Sequence, residues 1–362
     1  MRRKKVSFIT IHIGSNFGST LQAIATYKIL KDLGTDPICV NYIPPRVTYS
    51  RYWSIAKQSV IRFIRRVIFF PFLYEETNRF AKYLSKHCLV SKPIYSEDNF
   101  VDKCPSADIY LTGSDQVWNT THNEGLDTHY FFENIQGKKI AFASSIGKSK
   151  LDSQELKWLK DYTDDYSSIL VREASAVEIF KSFGRHADQV LDPTLLLNRE
   201  EWLPYASKRM VSKPYLFVYL PYNVADKVLC YKTARKIAKE KNLKVISFSH
   251  SFYRDVLADY TFRFIGPGEV LSLMYYADFI ITNSFHGTAF SINLNRQFYT
   301  YMPSSFSTRI SSLINLCGLQ NRVLDKILTD EWKSDEINYE PINEILNRER
   351  RESIGLLRNT LN

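Results

Sequence analysis

Apolar and polar positions alternate along this chain on two length scales. Short apolar runs recur, and longer stretches between them place apolar residues three and four positions apart. "VSFITI" (residues 6–11) is the first run and predicts a buried strand, and "TLQAIATYKILKDLG" (20–34) follows with helical periodicity and stops at Gly34. "PICVNY", "DIYLTG", "KIAFASS", "SILVRE" and "DQVLDP" repeat the strand signature. Strands alternating with helices predict a parallel sheet covered on both faces. The cycle restarts at "YLFVYLP" (215–221) and continues through the helical "DKVLCYKTARKIAKEKN", the strand "LKVISFS", the helical "GEVLSLMYYA", the strand "DFIITNS", a helix beginning at His286, and the strand "QFYTYM".

The pattern predicts an α/β chain of two Rossmann-like domains, residues 1–195 and 214–337, joined by a connector at 196–213 and followed by a helical tail at 338–362. The length of 362 residues agrees, because single cores stop growing at roughly 250–300 residues. Two such domains facing each other are expected to form a cleft. Ligands bind beyond the carboxyl ends of the strands in such sheets, so the residues just after strands carry the interest.

Charge narrows the partners. The formal net charge of +10 favours anionic ligands, but no zinc-finger spacing or RNP-like aromatic signature points to nucleic acid, and none is expected as a partner. A small anionic donor or a membrane-borne diphosphate fits at least as well. The five cysteines are scattered without a CxxC pair, which argues against a disulfide framework and for a reducing compartment. The start "MRRKKVSFITIHIGSNFG" reads as a first strand rather than a signal peptide, since its apolar stretch is short and broken by His12. No apolar run approaches the ~20 residues of a membrane span, so a cytoplasmic location is expected. "SVIRFIRRVIFFPFLYEE" (59–76) mixes Ile, Val and Phe with Arg62, Arg65 and Arg66. It predicts a basic amphipathic helix, either at the inner face of an anionic membrane or with a solvated basic side over a core.

Four stretches carry candidate chemistry. "HIGSNFGSTLQA" (12–23) joins the first strand to the first helix, where free N–H groups and Asn16 can meet a ligand or simply turn the chain. "LTGSDQVWN" (111–119) offers Asp115 as a base or sugar grip, Trp118 as a sugar platform, and the amides Gln116 and Asn119; the alternative is a polar loop with Asp115 as a helix cap. "LVREASA" (170–176) places Arg172 and Glu173 at a strand end, for a bidentate anion clamp or a surface ion pair. "IITNSFHGTAFSI" (280–292) sets His286 where a strand hands over to a helix, with Ser284 placed to cap that helix and Gly287 letting a ligand approach the backbone. A lone histidine beside an apolar face is also commonly a core residue. Arg309, in "SSFSTRISSLINLCGL" (304–319), is a second anion clamp or a helix-surface charge. No DxD-like pair, HExxH or ligand-spaced cluster appears, so no catalytic metal is expected.

Taken in order, "GSNFGSTLQA", "LTGSDQVWN", "FASSIG", "LVREASA", "VLDPTLLL", "GPGEVLSLMYYADFIITNSFHGTAFSI" and "SSFSTRISSLINLCGL" resemble the polysaccharide pyruvyl transferase family, over nearly the whole chain except roughly residues 47–105 and the tail. The resemblance implies a GT-B-like fold and transfer of pyruvate from phosphoenolpyruvate onto two hydroxyls of one sugar. A cyclic ketal forms and phosphate leaves, with a cell-surface glycan or its lipid-linked precursor as acceptor. Phosphoenolpyruvate is a co-substrate and no cofactor is implied. The family histidine maps onto His286, as the general acid that protonates C3 of the donor, and the RE-motif arginine onto Arg172. Ser284 stands where some members carry arginine, so donor contacts fall to Arg172, Ser284, Gly287 and Arg309. Asp115 is the partner on the acceptor side, with Asn16, Gln116, Trp118 and Asn119 around it. Two other readings compete: a nucleotide-sugar glycosyltransferase of the same fold with Glu269 on ribose hydroxyls, and a non-catalytic glycan-binding protein.

Overall fold

The computed structural model describes residues 2–56, 59–222, 227–250, 254–303, 308–324 and 335–362. The chain divides into two compact units, Met1–Leu196 with Arg351–Asn362, and Leu197–Arg350.

The first unit carries strands β1 (Lys5–Ile9), β2 (Asp36–Cys39), β3 (Tyr42–Ile43), β4 (Ile94–Tyr95), β5 (Ile109–Thr112), β6 (Lys138–Ser144), β7 (Tyr166–Val171) and β8 (Asp188–Gln189). Its helices are α1 (Phe17–Asp32), α2 (Tyr49–Ala56), α3 (Val60–His87), α4 (Phe100–Lys103), α5 (Ser153–Thr163), α6 (Ala174–Ser182) and α7 (Pro193–Leu196). Six strands form a wholly parallel sheet in the order β2-β1-β5-β6-β7-β8, and β3 and β4 make a separate parallel pair. The central strand β5 is buried along its whole length, which is why it reads as an uninterrupted apolar run. Helix α1 starts where the Asn16 side chain accepts from the N–H groups of Gly18 and Ser19, and the chain leaves it through Gly34 at φ 81°. The register of β6 against β7 shifts between Phe142 and Ser144, and Ala143 sits there at φ 55°. Such a bulge re-aims the side chains that follow it.

The second unit runs through α8 (Arg199–Trp202), β9 (Tyr215–Tyr219), α9 (Lys227–Glu240), β10 (Lys244–Ser249), β11 (Tyr260–Arg263), α10 (Pro267–Tyr275), β12 (Phe279–Thr282), α11 (Phe285–Asn293), β13 (Gln297–Tyr301), α12 (Thr308–Leu316), β14 (Val323–Leu324) and the start of α13 (Glu340–Leu361). Its sheet is also parallel, in the order β11-β10-β9-β12-β13-β14. Each sheet reverses strand order once beside a central strand, between β1 and β5 in the first and between β9 and β12 in the second. Connections leave in opposite directions at such a switch point and open a crevice beyond the strand ends.

Two expected boundaries differ. The stretch 196–213, read from the sequence as a connector, falls from Leu197 onward in the second unit, where Trp202 is fully buried with its ring centroid 5.1 Å from that of Phe290. The tail at 338–362 is divided between the units, because its apolar residues Ile342, Leu346, Leu357 and Leu361 are all buried. Its last residues are tied to the first unit, where Lys4 Nζ donates to the carbonyls of Leu361 and Asn362 at 2.8 Å and Leu191 N–H donates to Ser353 Oγ at 3.0 Å.

Candidate active site

In the first unit the loops after β5, β7 and β8 bring four ionisable side chains together. Arg172 is 5% exposed, and its Nη1 donates to Asp192 Oδ2 at 2.7 Å and to Ser114 Oγ at 3.4 Å. Asp115 Oδ1 and Glu173 Oε1 each lie 3.9 Å from other guanidinium nitrogens. Burial alone would lower the Arg172 pKa, but the Asp192, Glu173 and Asp115 carboxylates outweigh it and raise it. The carboxylates are themselves held. Ser114 Oγ donates to Asp192 Oδ2 at 2.9 Å, and Thr194 donates to Asp192 Oδ1 through both N–H (2.9 Å) and Oγ1 (2.6 Å). Ser19 Oγ, in the first turn of α1, donates to Asp115 Oδ2 at 2.6 Å, and Gln116 N–H donates to Asp115 Oδ1 at 2.9 Å. Asp115 has φ 70°, a conformation costly for most residues and easier for Asp, which points to a backbone held by its surroundings. Ser145 Oγ donates to Glu173 Oε1, while Glu173 Oε2 is buried without a hydrogen-bond partner among the described residues. A buried carboxylate oxygen left so is a place where a hydroxyl can be received.

These distances change the part expected of Arg172. A donor clamp requires surplus positive charge, yet three carboxylates surround this guanidinium and one binds it directly. Arg172 is thus held among Asp115, Glu173 and Asp192, with Asp192 bound directly. Among the described residues no group of three His, Cys, Asp or Glu side chains has metal-holding geometry.

The aromatic and amide residues after Asp115 are also placed differently from expectation. Trp118 is 5% exposed and stacks on Phe131 with centroids 5.6 Å apart, with Tyr166 and Phe180 against it. It is a core ring with no open face for a sugar. Asn119 Nδ2 donates to Gln116 Oε1 at 2.6 Å, and Asn119 Oδ1 receives the N–H groups of Thr121 and His122. Both amides thus brace the loop beside Gly147 (φ 67°), where an added Cβ would lie 2.5 Å from Gln116 Oε1. Asn16 is exposed at the N-terminus of α1 and uses its carbonyl oxygen as the cap. Beside it lies a cavity of about 270 Å³ lined by Gly14, Ser15, Arg46, Tyr49, Arg51 and Tyr52 among others.

In the second unit, β12 ends at Thr282 and α11 begins at Phe285. Asn283 bridges the two central strand ends: its Nδ2 donates to the Tyr222 carbonyl at 2.8 Å. Ser284 caps α11, with its Oγ accepting from Gly287 N–H at 3.3 Å, and Ser284 N–H donates to Thr282 Oγ1 at 3.1 Å. His286 is 4% exposed in the first turn of α11, edge-on to Phe285 with centroids 5.2 Å apart. The guanidinium of Arg309, buried at the start of α12, lies 5.5 Å from the same Phe285 ring centroid. One phenyl ring therefore collects the imidazole and the guanidinium. Residues 304–307, the first part of the "SSFSTR" stretch, lie outside the described residues.

Gly287 has another reason than the one expected. A Cβ there would lie 2.1 Å from Thr282 Oγ1, so glycine lets α11 pack against the end of β12 rather than admit a ligand to the backbone. Glu269 caps α10, its Oε2 accepting from Gly266 N–H at 2.6 Å. Sequence reasoning did not place Ser19, Ser114, Asp192 or Asn283 in a site. Asp192 had a visible signal, an aspartate directly before proline in "VLDPTLLL".

Two parallel six-stranded Rossmann-like units in one chain define a GT-B-like α/β protein. Solved structures with the same fold include a protein from Listeria monocytogenes assigned as a UDP-N-acetylglucosamine 2-epimerase, with TM-score 0.52, 9% identity and coverage of 99% of this chain and 91% of that one. The S. aureus MnaA–UDP co-structure gives TM-score 0.52 and 10% identity, over 95% of this chain and 87% of that one. These identities speak for the fold alone. Among curated proteins nothing matches the sequence. The family model for polysaccharide pyruvyl transferase matches residues 16–305, and the chain belongs to that family.

Proposed function

We propose that this chain transfers pyruvate from phosphoenolpyruvate onto two hydroxyls of one sugar in a cell-surface polysaccharide or its lipid-linked precursor. The observation that carries the reading is that buried His286 and Arg309 both lie against the Phe285 ring at the start of α11, in a member of this family. Phosphoenolpyruvate brings a carboxylate and a phosphate, and an N-terminal helix end beside a guanidinium suits such a dianion. His286 is the acid that delivers a proton to C3 of the donor, which makes C2 electrophilic. One sugar hydroxyl bonds to C2 and gives its proton to a base. The C2–O bond to phosphate then breaks, and the second hydroxyl adds to C2 to close the ketal, passing its proton back to the imidazole that gave one up. Asp115 is the base, with Glu173 the alternative because its buried Oε2 accepts no hydrogen bond among the described residues. The acceptor is assigned to the first unit, beside Asn16 and the cavity at Gly14 and Ser15.

The test is phosphate release from phosphoenolpyruvate across a panel of free and lipid-linked glycans. Acceptor-dependent release with a ketal in the product supports the reading. A nucleotide-sugar transferase is the other reading of this fold. It has weaker support here, because one oxygen of Glu269 is already committed to the α10 cap. Thermal shift with phosphoenolpyruvate against UDP-sugars separates the two: stabilisation by the nucleotide alone would reject the pyruvyl-transfer reading.

A further inference from the structure

Helix α3 changes character halfway along one line of its surface. Ile61, Ile64, Ile68 and Phe72 follow one another at helical spacing, and the same line continues with Glu75, Arg79, Lys82 and Lys86. All eight are exposed. The second half is therefore an ordinary solvated face. The first half is not: Val60, Ile61, Ile64, Val67, Ile68 and Phe72 are 41–76% exposed and contiguous. Scattered apolar residues on a surface are common, but an unbroken stripe over three turns marks a contact site.

The opposite side of the same turns is already used. The Arg66 guanidinium stacks over the Tyr52 ring at 4.4 Å, Tyr52 Oη donates to the Arg66 carbonyl at 3.0 Å, and Phe70 packs on Trp53 with centroids 5.1 Å apart. These contacts hold α2 against α3 and leave the isoleucine line facing outward. Charge selects the occupant. Arg62 and Arg65 are exposed beside the stripe, and the sequence from Tyr49 to Tyr74 contains no acidic residue. A second copy docking symmetrically on this face would bring like charges together. An anionic bilayer offers acyl chains to the stripe and phosphates to the arginines. Among the described residues no helix is long and apolar enough to cross a membrane, so α3 would lie along the surface.

We propose that the first three turns of α3 dock on the surface of an anionic lipid bilayer, with Ile61, Ile64, Ile68 and Phe72 among the acyl chains and Arg62 and Arg65 at the phosphate level. The proposal rests on this face alone and does not depend on the pyruvyl-transfer reading.

The experiment is flotation of the full chain with vesicles of phosphatidylcholine alone, and with phosphatidylcholine containing phosphatidylglycerol, at low and at high salt. The expected result is flotation with the anionic vesicles at low salt and at least about tenfold weaker binding to neutral ones. Ile64→Glu with Ile68→Glu should reduce binding by about tenfold or more, with an unchanged far-ultraviolet spectrum because both positions are solvent-facing. If that double variant fails to fold, Arg62→Gln with Arg65→Gln is used instead, and it should lose the preference for anionic vesicles. Absence of wild-type flotation at low salt overturns the proposal, as does equal flotation of a folded variant. A solution dimer that the isoleucine substitutions split, without flotation, gives the face to a second copy and also overturns it.

Discussion

Beyond β5, β7 and β8 of the first sheet, Asp115, Glu173 and Asp192 surround one guanidinium; beyond β12 and β13 of the second, His286 and Arg309 lie against the Phe285 ring. The folds are alike, and the charged groups they gather differ. The first set is a closed network in which nearly every oxygen has a donor, so it keeps its shape but has little attraction for an anion. The second places a guanidinium and the first turn of a helix against one aromatic ring. Arginine identity alone does not separate a clamp from a scaffold; the charges around it do.

The comparison breaks most visibly at His286. His286→Gln keeps much of the side-chain volume but removes the titrating ring, and turnover should fall by about 10²–10⁴. Initial-rate assays of phosphate release check this, and retention of more than about a tenth of wild-type turnover removes His286 from the chemistry. Arg172→Met should act on the fold first. It leaves three buried carboxylates around an apolar side chain, and guanidinium denaturation should show a loss of about 3–5 kcal/mol. Arg309→Lys, by contrast, should raise the Michaelis constant for phosphoenolpyruvate with a smaller change in stability. The reverse ranking of the two arginines would invert the assignment of the units.

Gly287→Ala sharpens the packing side of the comparison. Its new Cβ would meet Thr282 Oγ1 at 2.1 Å, so a loss of about 1–3 kcal/mol is expected. Thr282→Ala in the same chain should recover part of it; no recovery would mean that the glycine serves something other than this helix–strand contact. The smallest effect concerns His12. Burial lowers its pKa below 6.5, more than the Thr10 carbonyl and Asn41 raise it, so the unfolded chain takes up the proton first. Stability from this residue is present above about pH 6.5 and declines as pH falls below it toward the folded-state pKa. Denaturation midpoints measured down from neutral pH should fall less steeply in His12→Asn than in wild type.

Much of this was legible from local pattern. Strand-length apolar runs alternating with helical periodicity announced two parallel units, and each cluster of polar residues directly after a strand marked a loop beyond the strand ends. His286 and Asp115 stood out because backbone periodicity reports which residues follow strands. Neighbours across the sheet were not legible in the same way. Nothing near Arg172 in sequence says that Asp192 binds it from the far side of α6, or that Ser19 reaches Asp115 from α1.

By itself, then, the chain's pattern of apolar and polar residues determined the fold class, the family and the positions of the strand-end loops, because these follow from short-range periodicity and ordered motifs. Only the tertiary structure decided what the side chains in those loops do. It turned Trp118 into a core ring, Gln116 and Asn119 into braces, Gly287 into a packing site and Arg172 into the centre of a carboxylate network. The physical reason is that burial, charge balance and steric fit depend on atoms brought together from distant parts of the chain, and no local spacing records those distances.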